Sequence, residues 1–241
     1  MIATVRAFFF RSLAIQKRYF LDYSLGLLIK IFFFTAVIYN SRGAGQQPIY
    51  VAGFLLWYLS SHLLARMANF FLEESYLGTL ARLLASPHKP ISLIAAMSIT
   101  ELLVSAPWVL ALAVYSLFCG VPALHLGARE ALVLLFGIVG VWGIGLTLLA
   151  ASLRFKQVGS LTEMLTFYLL LFSGFFVESS KLPGAVHLIN AVNPLYQAIS
   201  DINDGGYLKS ALVALFWLAV GLGLFNVLYA RARKDGSLLN Y

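Results

Sequence analysis

Residues 131–153 read ALVLLFGIVGVWGIGLTLLAASL and carry no charge. At 1.5 Å per residue a helix of this length reaches about 35 Å, enough to cross the ~30 Å hydrocarbon layer of a bilayer. Working outward, residues 43–65, 102–128 and 210–230 are also free of Asp, Glu, Lys and Arg. Two further apolar stretches are less clean. Residues 24–40 contain Lys30, and residues 161–177 contain Glu163 and stop at Glu178. The expectation is an all-α integral membrane protein with six spans, at about 24–40, 49–71, 91–118, 130–152, 161–177 and 208–230.

The whole chain agrees with that reading. Of its 241 residues 61% are apolar and 11% charged, against roughly 45–50% and about 25% in a soluble domain. No core of this size could bury so much apolar surface, so lipid must be the main solvent. This excludes an ordinary soluble enzyme, a disordered tail and a secreted disulfide scaffold. Cys119 is the single cysteine, so no internal disulfide can form. Arg6, Arg11, Lys17 and Arg18 interrupt every apolar run that could serve a cleavable signal peptide. The chain is expected to form a single transmembrane domain over 1–241.

An even number of spans puts both termini on one side, and the basic residues choose it. Arg6, Arg11, Lys17, Arg18, Arg82, Lys89, Arg154, Lys156, Arg231, Arg233 and Lys234 then fall on the inner side, against Arg42, Arg129, Lys181 and Lys209 outside. This is a positive-inside bias. It predicts cytoplasmic termini in a multi-pass protein of the plasma (inner) membrane. The net charge of +7 is then explained by anionic lipid headgroups, and no nucleic-acid partner is expected.

Three segments outside the spans carry information. Over residues 2–20, at 100° per residue, the four basic side chains share an arc of about 140°. Phe8, Phe9, Leu13, Ile15, Tyr19 and Phe20 lie on the other side. This pattern predicts a helix lying in the membrane interface over 1–22. Residues 72–90, LEESYLGTLARLLASPHKP, form the longest inner connection. Glu73 and Glu74 favour a helix start, Leu77, Leu80, Leu83 and Leu84 follow at helical spacing, and Ser86-Pro87 stops the helix. A solvated connector would not need four leucines on one side, so a partner-docking surface is expected. Residues 177–207, interrupted by Pro183, Gly184, Asn193 and Pro194, are too broken for a span. They predict an external re-entrant hairpin, either a gate or a structural seal.

Ionisable residues within spans are costly and default to functional roles. Lys30, Arg66 and Glu101 form such a set. Glu101 is expected to pair with Lys30 or Arg66 inside the bundle, because its side chain is too short to reach the headgroups. Gly137, Gly140, Gly143 and Gly145, with Gly221 and Gly223, predict close helix approaches. Pro107 predicts a kink. No Gly-Lys dipeptide occurs, so there is no Walker A loop. The four histidines are scattered over different segments, and no metal-ligand or nucleophile-elbow pattern is present. Neither an enzyme nor a bound metal is expected.

The order of these parts resembles the permease subunit of ABC-2 type transporters. An interfacial helix precedes six spans. Glu73-Glu74-x-x-x-Gly78-Thr79-Leu80, running to Ser86-Pro87, is similar to that family's inner loop. Phe172-Ser173-Gly174, Leu182-Pro183 and Asn193-Pro194-Leu195 resemble its signature before the last span. Ala81-Arg82 depart from the family, where an acid is common after Leu80.

The resemblance implies an export permease working as a homo- or heterodimer with a separate cytoplasmic ABC ATPase. The ATPase would bind ATP and Mg and dock on the helix of 72–90 through Glu73, Glu74, Leu77, Gly78, Leu80, Arg82 and Leu83. The hairpin would gate the exit through Ser173, Gly174, Leu182, Pro183, Asn193 and Pro194. Apolar spans with a small charged cluster suit a hydrophobic or amphipathic cargo: a drug, antibiotic, peptide or lipid. A polysaccharide or glycolipid export permease is the alternative within the family. A stand-alone secondary transporter or a membrane enzyme is the alternative outside it.

Overall fold

A computed structural model describes residues 2–41, 47–121, 127–174 and 184–235. Among them every regular element is helical: α1 (Ile2–Arg18), α2 (Phe20–Ser41), α3 (Gln47–Tyr76), α4 (Leu80–Leu84), α5 (Pro90–Phe118), α6 (Ala128–Phe155), α7 (Gly159–Leu171), α8 (Gly184–Ala191), α9 (Pro194–Asp204) and α10 (Leu208–Lys234). Four of these, α3, α5, α6 and α10, are long and apolar enough to cross a membrane. α1 and α2 meet at 87°, and the bent pair together makes a fifth candidate span.

The other expected span, 161–177, differs from what is described. α7 has 13 residues, about 20 Å of helix, shorter than a bilayer core. The sequence after it explains the stop. Ser173 folds its hydroxyl back to the Leu170 carbonyl, and Gly174 turns at φ +85°, a conformation glycine adopts without a Cβ penalty. The expected Leu182-Pro183 element lies outside the described residues.

α6 sits at the centre, packed on α3, α9 and α10. Its glycines permit this, and between them they face all three neighbours. A Cβ at Gly140 would lie 2.6 Å from Pro194 Cβ of α9, and one at Gly143 would lie 2.5 Å from the Trp217 carbonyl oxygen of α10. Gly137 faces Leu56 of α3 and Ala198 of α9, and Gly145 faces Met67 of α3. Gly221 meets Gly143 across the α6–α10 contact, whereas Gly223 has nothing within 4 Å and takes no part in it. α5 continues as a helix through Pro107.

α1 lies across the bundle at the end where α3 terminates. Thr100 of α5 donates to the Val5 carbonyl at 3.3 Å. At the opposite end α9 is inserted against α3, α6 and α10 with Leu195, Ala198, Ile199 and Ile202 buried. Asn193 fixes its start. The side-chain oxygen accepts from the backbone N–H groups of Leu195 and Tyr196, and the side-chain amide donates to the Phe172 carbonyl at the end of α7. This satisfies two orphan donors of the helix. Pro194, at the first helical position, lacks a donor that would need a partner.

Candidate functional site

α2, α3 and α5 each bring one charged residue into the bundle, and α3 adds more. His62 and Arg66 are four residues apart on α3 and share a face, and Glu73 follows two turns later. Arg66 is the hub. Its Nε donates to Glu101 Oε2 of α5 at 3.2 Å, and its terminal amine donates to Glu73. The guanidinium fork suits two carboxylates at once. The Glu101 carboxylate also approaches His62 Nδ1, at 3.9 Å.

Lys30 lies on the other side of His62. Its ammonium is 3.4 Å from His62 Nε2 and 3.3 Å from Ser61 Oγ. A lysine has only donors, so His62 Nε2 must be its acceptor, which places the imidazole proton on Nδ1, toward Glu101. Ser61 passes its own hydroxyl proton to the Tyr58 carbonyl and is free to accept from Lys30. The aromatic faces of Tyr58 and Trp57 lie 4.6 and 5.6 Å from the ammonium. The result is an ordered series: Lys30, His62, Glu101, Arg66, Glu73. Glu101 thus contacts Arg66 and reaches Lys30 only through His62. Sequence reasoning singled out Lys30, Arg66 and Glu101. It missed His62 and Ser61, whose signal was their position one turn before Arg66.

The expected docking segment is arranged differently from its sequence reading. Glu73 and Glu74 do not open a helix; they belong to the last turn of α3. The new helix begins at Leu80 and lasts five residues. Gly78, at φ +65°, makes the break between them. Glu74 is only 2% exposed. It accepts from Arg11 of α1 at 2.5 Å and from the Thr79 hydroxyl at 2.5 Å. Leu80 is buried in the core beside it. Both are therefore internal fasteners, because a partner would have to displace existing contacts to reach them. Leu77, Gly78 and Arg82 remain exposed, and Leu83 is half-buried against the core.

The residues expected at the gate are divided too. Ser173 and Asn193 are fully buried; Ser173 bonds back to Leu170 within the end of α7, and Asn193 ties α7 to α9. Pro194 packs against Gly140, and Gly174 faces the Tyr196 ring. Leu182 and Pro183 lie outside the described residues. The same region contains bonds not anticipated from sequence. Trp217 of α10 donates to the Val192 carbonyl at 2.7 Å, and Asp201 accepts from the backbone N–H and hydroxyl of Ser210 at 2.8 Å each, capping α10.

Among the described residues no cluster of His, Cys, Asp and Glu could hold a metal ion. The network is suited to holding helices in register and to presenting charge within a membrane. No curated protein matches the chain. A family model described as ABC-2 type transporter matches residues 4–203, a stretch that takes in α3, α5 and α6, the ionic network between them, and α9 up to its last turn. The chain is therefore a multi-pass membrane protein that belongs to the ABC-2 type transporter family, the permease component of an ABC transporter.

Proposed function

We propose that the chain is the permease subunit of an ATP-driven exporter for a hydrophobic or amphipathic cargo. The observation that carries this is the family match over residues 4–203. ABC-2 permeases are partnered by an ABC ATPase, and in this reading the ATPase binds ATP and Mg while the present chain forms the pathway as one half of a dimer. The four long apolar helices and the bent α1–α2 pair supply the membrane domain, with α1 and α4 on the cytoplasmic side and the α8–α9 hairpin outside.

The docking surface is proposed to be the exposed turn of Leu77 and Gly78 with Arg82 and the outer edge of Leu83, backed by Glu73. Arg82 on this surface calls for an acidic patch on the ATPase. Purification of the chain from its own membranes should recover a P-loop ATPase in stoichiometric amount, and its absence overturns the permease reading. Within that complex, Arg82→Glu and Leu77→Asp should reduce recovery of the ATPase and its stimulated turnover. A complex unaffected by both substitutions places docking elsewhere.

A further inference from the structure

Lys30 is the one member of the ionic series without a carboxylate beside it. Arg66 takes both Glu101 and Glu73, whereas the contacts of Lys30 are the neutral Ser61 hydroxyl, the His62 acceptor nitrogen and two aromatic faces. Two cations and two anions balance over the whole group, but the negative charges gather at the Arg66 end and the positive charge stands alone at the Lys30 end. A lysine at the middle of a membrane helix is costly unless something meets its charge.

Escape to the headgroups is closed by length. Lys30 is six residues from one end of the apolar stretch 24–40 and ten from the other, about 9 and 15 Å of helix. A lysine stem of about 6 Å does not cover either distance. Its surroundings are also held in place: Trp57 is fixed by its indole N–H on the Thr166 carbonyl of α7 at 3.0 Å, and Ser61 by the Tyr58 carbonyl. Lys30 is partly buried beside these groups, with the exposed Ile29 and Phe33 as its neighbours on α2. A cation carried by fixed neutral acceptors, bordered by apolar surface and lacking a counter-ion among the described residues, is complementary to an anion on an apolar tail.

We propose that Lys30, framed by Trp57, Tyr58 and His62, binds the anionic group, phosphate or carboxylate, of an amphiphilic cargo within the membrane. This rests on the permease reading and narrows its substrate class. The apolar part of the cargo would lie along the exposed face of α2, and the anion would supply the charge that no carboxylate among the described residues brings to Lys30. His62 keeps Glu101 from cancelling the ammonium, since it stands between the two.

The test uses the full chain in phosphatidylcholine nanodiscs, with radiolabelled dodecyl phosphate as the probe and uncharged dodecanol as the control. The wild-type chain and Lys30→Arg should bind dodecyl phosphate saturably. Lys30→Met, which keeps the volume and suits an apolar environment, should bind about tenfold more weakly. Dodecanol should not distinguish the three. Equal affinity of Lys30→Met for dodecyl phosphate overturns the site.

A second arm separates cargo from resident lipid. Nanodiscs containing phosphatidylglycerol are compared, and ATP turnover by the permease–ATPase complex is measured with dodecyl phosphate. Lys30-dependent stimulation of turnover supports a cargo site. Displacement of the probe by phosphatidylglycerol without any effect on turnover assigns the site to a structural lipid and overturns the cargo assignment. Because binding is read on the chain alone, failure to recover an ATPase defeats the permease reading without deciding the Lys30 site.

Discussion

Polar side chains gather at two places in this bundle, and they are wired by different chemistry. Between α2, α3 and α5 the links are between charged side chains: Arg66 with Glu101 and Glu73, and Arg11 with Glu74 at the helix end. Around α7, α8 and α9 most are neutral side chains on backbone carbonyls: Asn193 on Phe172, Tyr168 on Ile189, Gln197 on Asn190 and Trp217 on Val192, with the Asp201 carboxylate on Ser210 the charged exception. The second kind closes broken backbone, which in a membrane survives only where every freed polar group finds a partner. The first kind joins helices whose backbones are already complete, so its cost is not demanded by the fold. That difference marks the ionic series as the functional candidate and the hairpin bonds as the means of holding an irregular segment.

The contrast can be broken by substitution. The largest effect is expected at Glu101→Leu, which leaves Arg66 only the more exposed Glu73 and should cost about 3 kcal/mol in detergent unfolding. Arg66→Met with Glu101→Met should recover most of that loss, because removing both charges leaves neither buried alone. A double variant as unstable as the single one would show that the pair is structural in a way its charge does not explain. Transport or ATPase coupling should stay impaired in the double variant, even with stability restored.

Next is Asp201→Ala at the hairpin end. Asp201 is 1% exposed and holds both donors of Ser210, so its loss should cost about 2 kcal/mol. Asn193→Ala removes the cap of α9 and the tie to α7, at about 1 kcal/mol by the same unfolding measurement. Neither should change the Lys30-dependent binding, if the two regions are separate in function as they are in chemistry.

The smallest effect is expected at the exposed pair of Lys209 and Asp204, 2.8 Å apart. The Lys209 hydrogen bond, followed by its charge and the Ser200 hydroxyl, holds the Asp204 carboxyl below its ordinary value. A depressed folded value means the pair stabilises above the unfolded pKa, near pH 4, and loses that contribution as pH falls through the folded value. Both side chains are more than half exposed, so solvent screens the pair. Lys209→Met should lower the midpoint at neutral pH only slightly and leave it unchanged in acid, so that the acid limb below pH 4 is a little flatter.

Particular residues show how far the sequence could be read. The four long spans were legible because lipid permits only uninterrupted apolar helices, so charge-free length is sufficient. The glycine approaches were legible for Gly137, Gly140, Gly143, Gly145 and Gly221, since a missing Cβ is useful only at a close contact. Gly223 shows the limit, because the same residue type one turn-fraction away faces open space. Within 72–90 the helix starts at Leu80, later than the acidic pair suggests. Acidic residues suit a helix start, but Glu74 is held at a helix end by Arg11 and Thr79, and that stabilisation comes from α1, not from local sequence. α7 stops short of the span expected over 161–177, because an apolar run continues past the point where Ser173 and Gly174 turn the backbone.

By itself, then, the amino-acid order determined the solvent, the helical class, the long spans and the presence of three charges inside them. Each follows from the transfer of a side chain or a backbone group between water and lipid, a property of local composition. Only the tertiary structure decided which charge meets which. Arg66 could have served Lys30's side of the bundle or Glu73's, and Glu74 could have faced a partner or the core. Distances across helices set these choices, because an ionic contact falls off over a few ångströms and no sequence spacing specifies the neighbour on another helix.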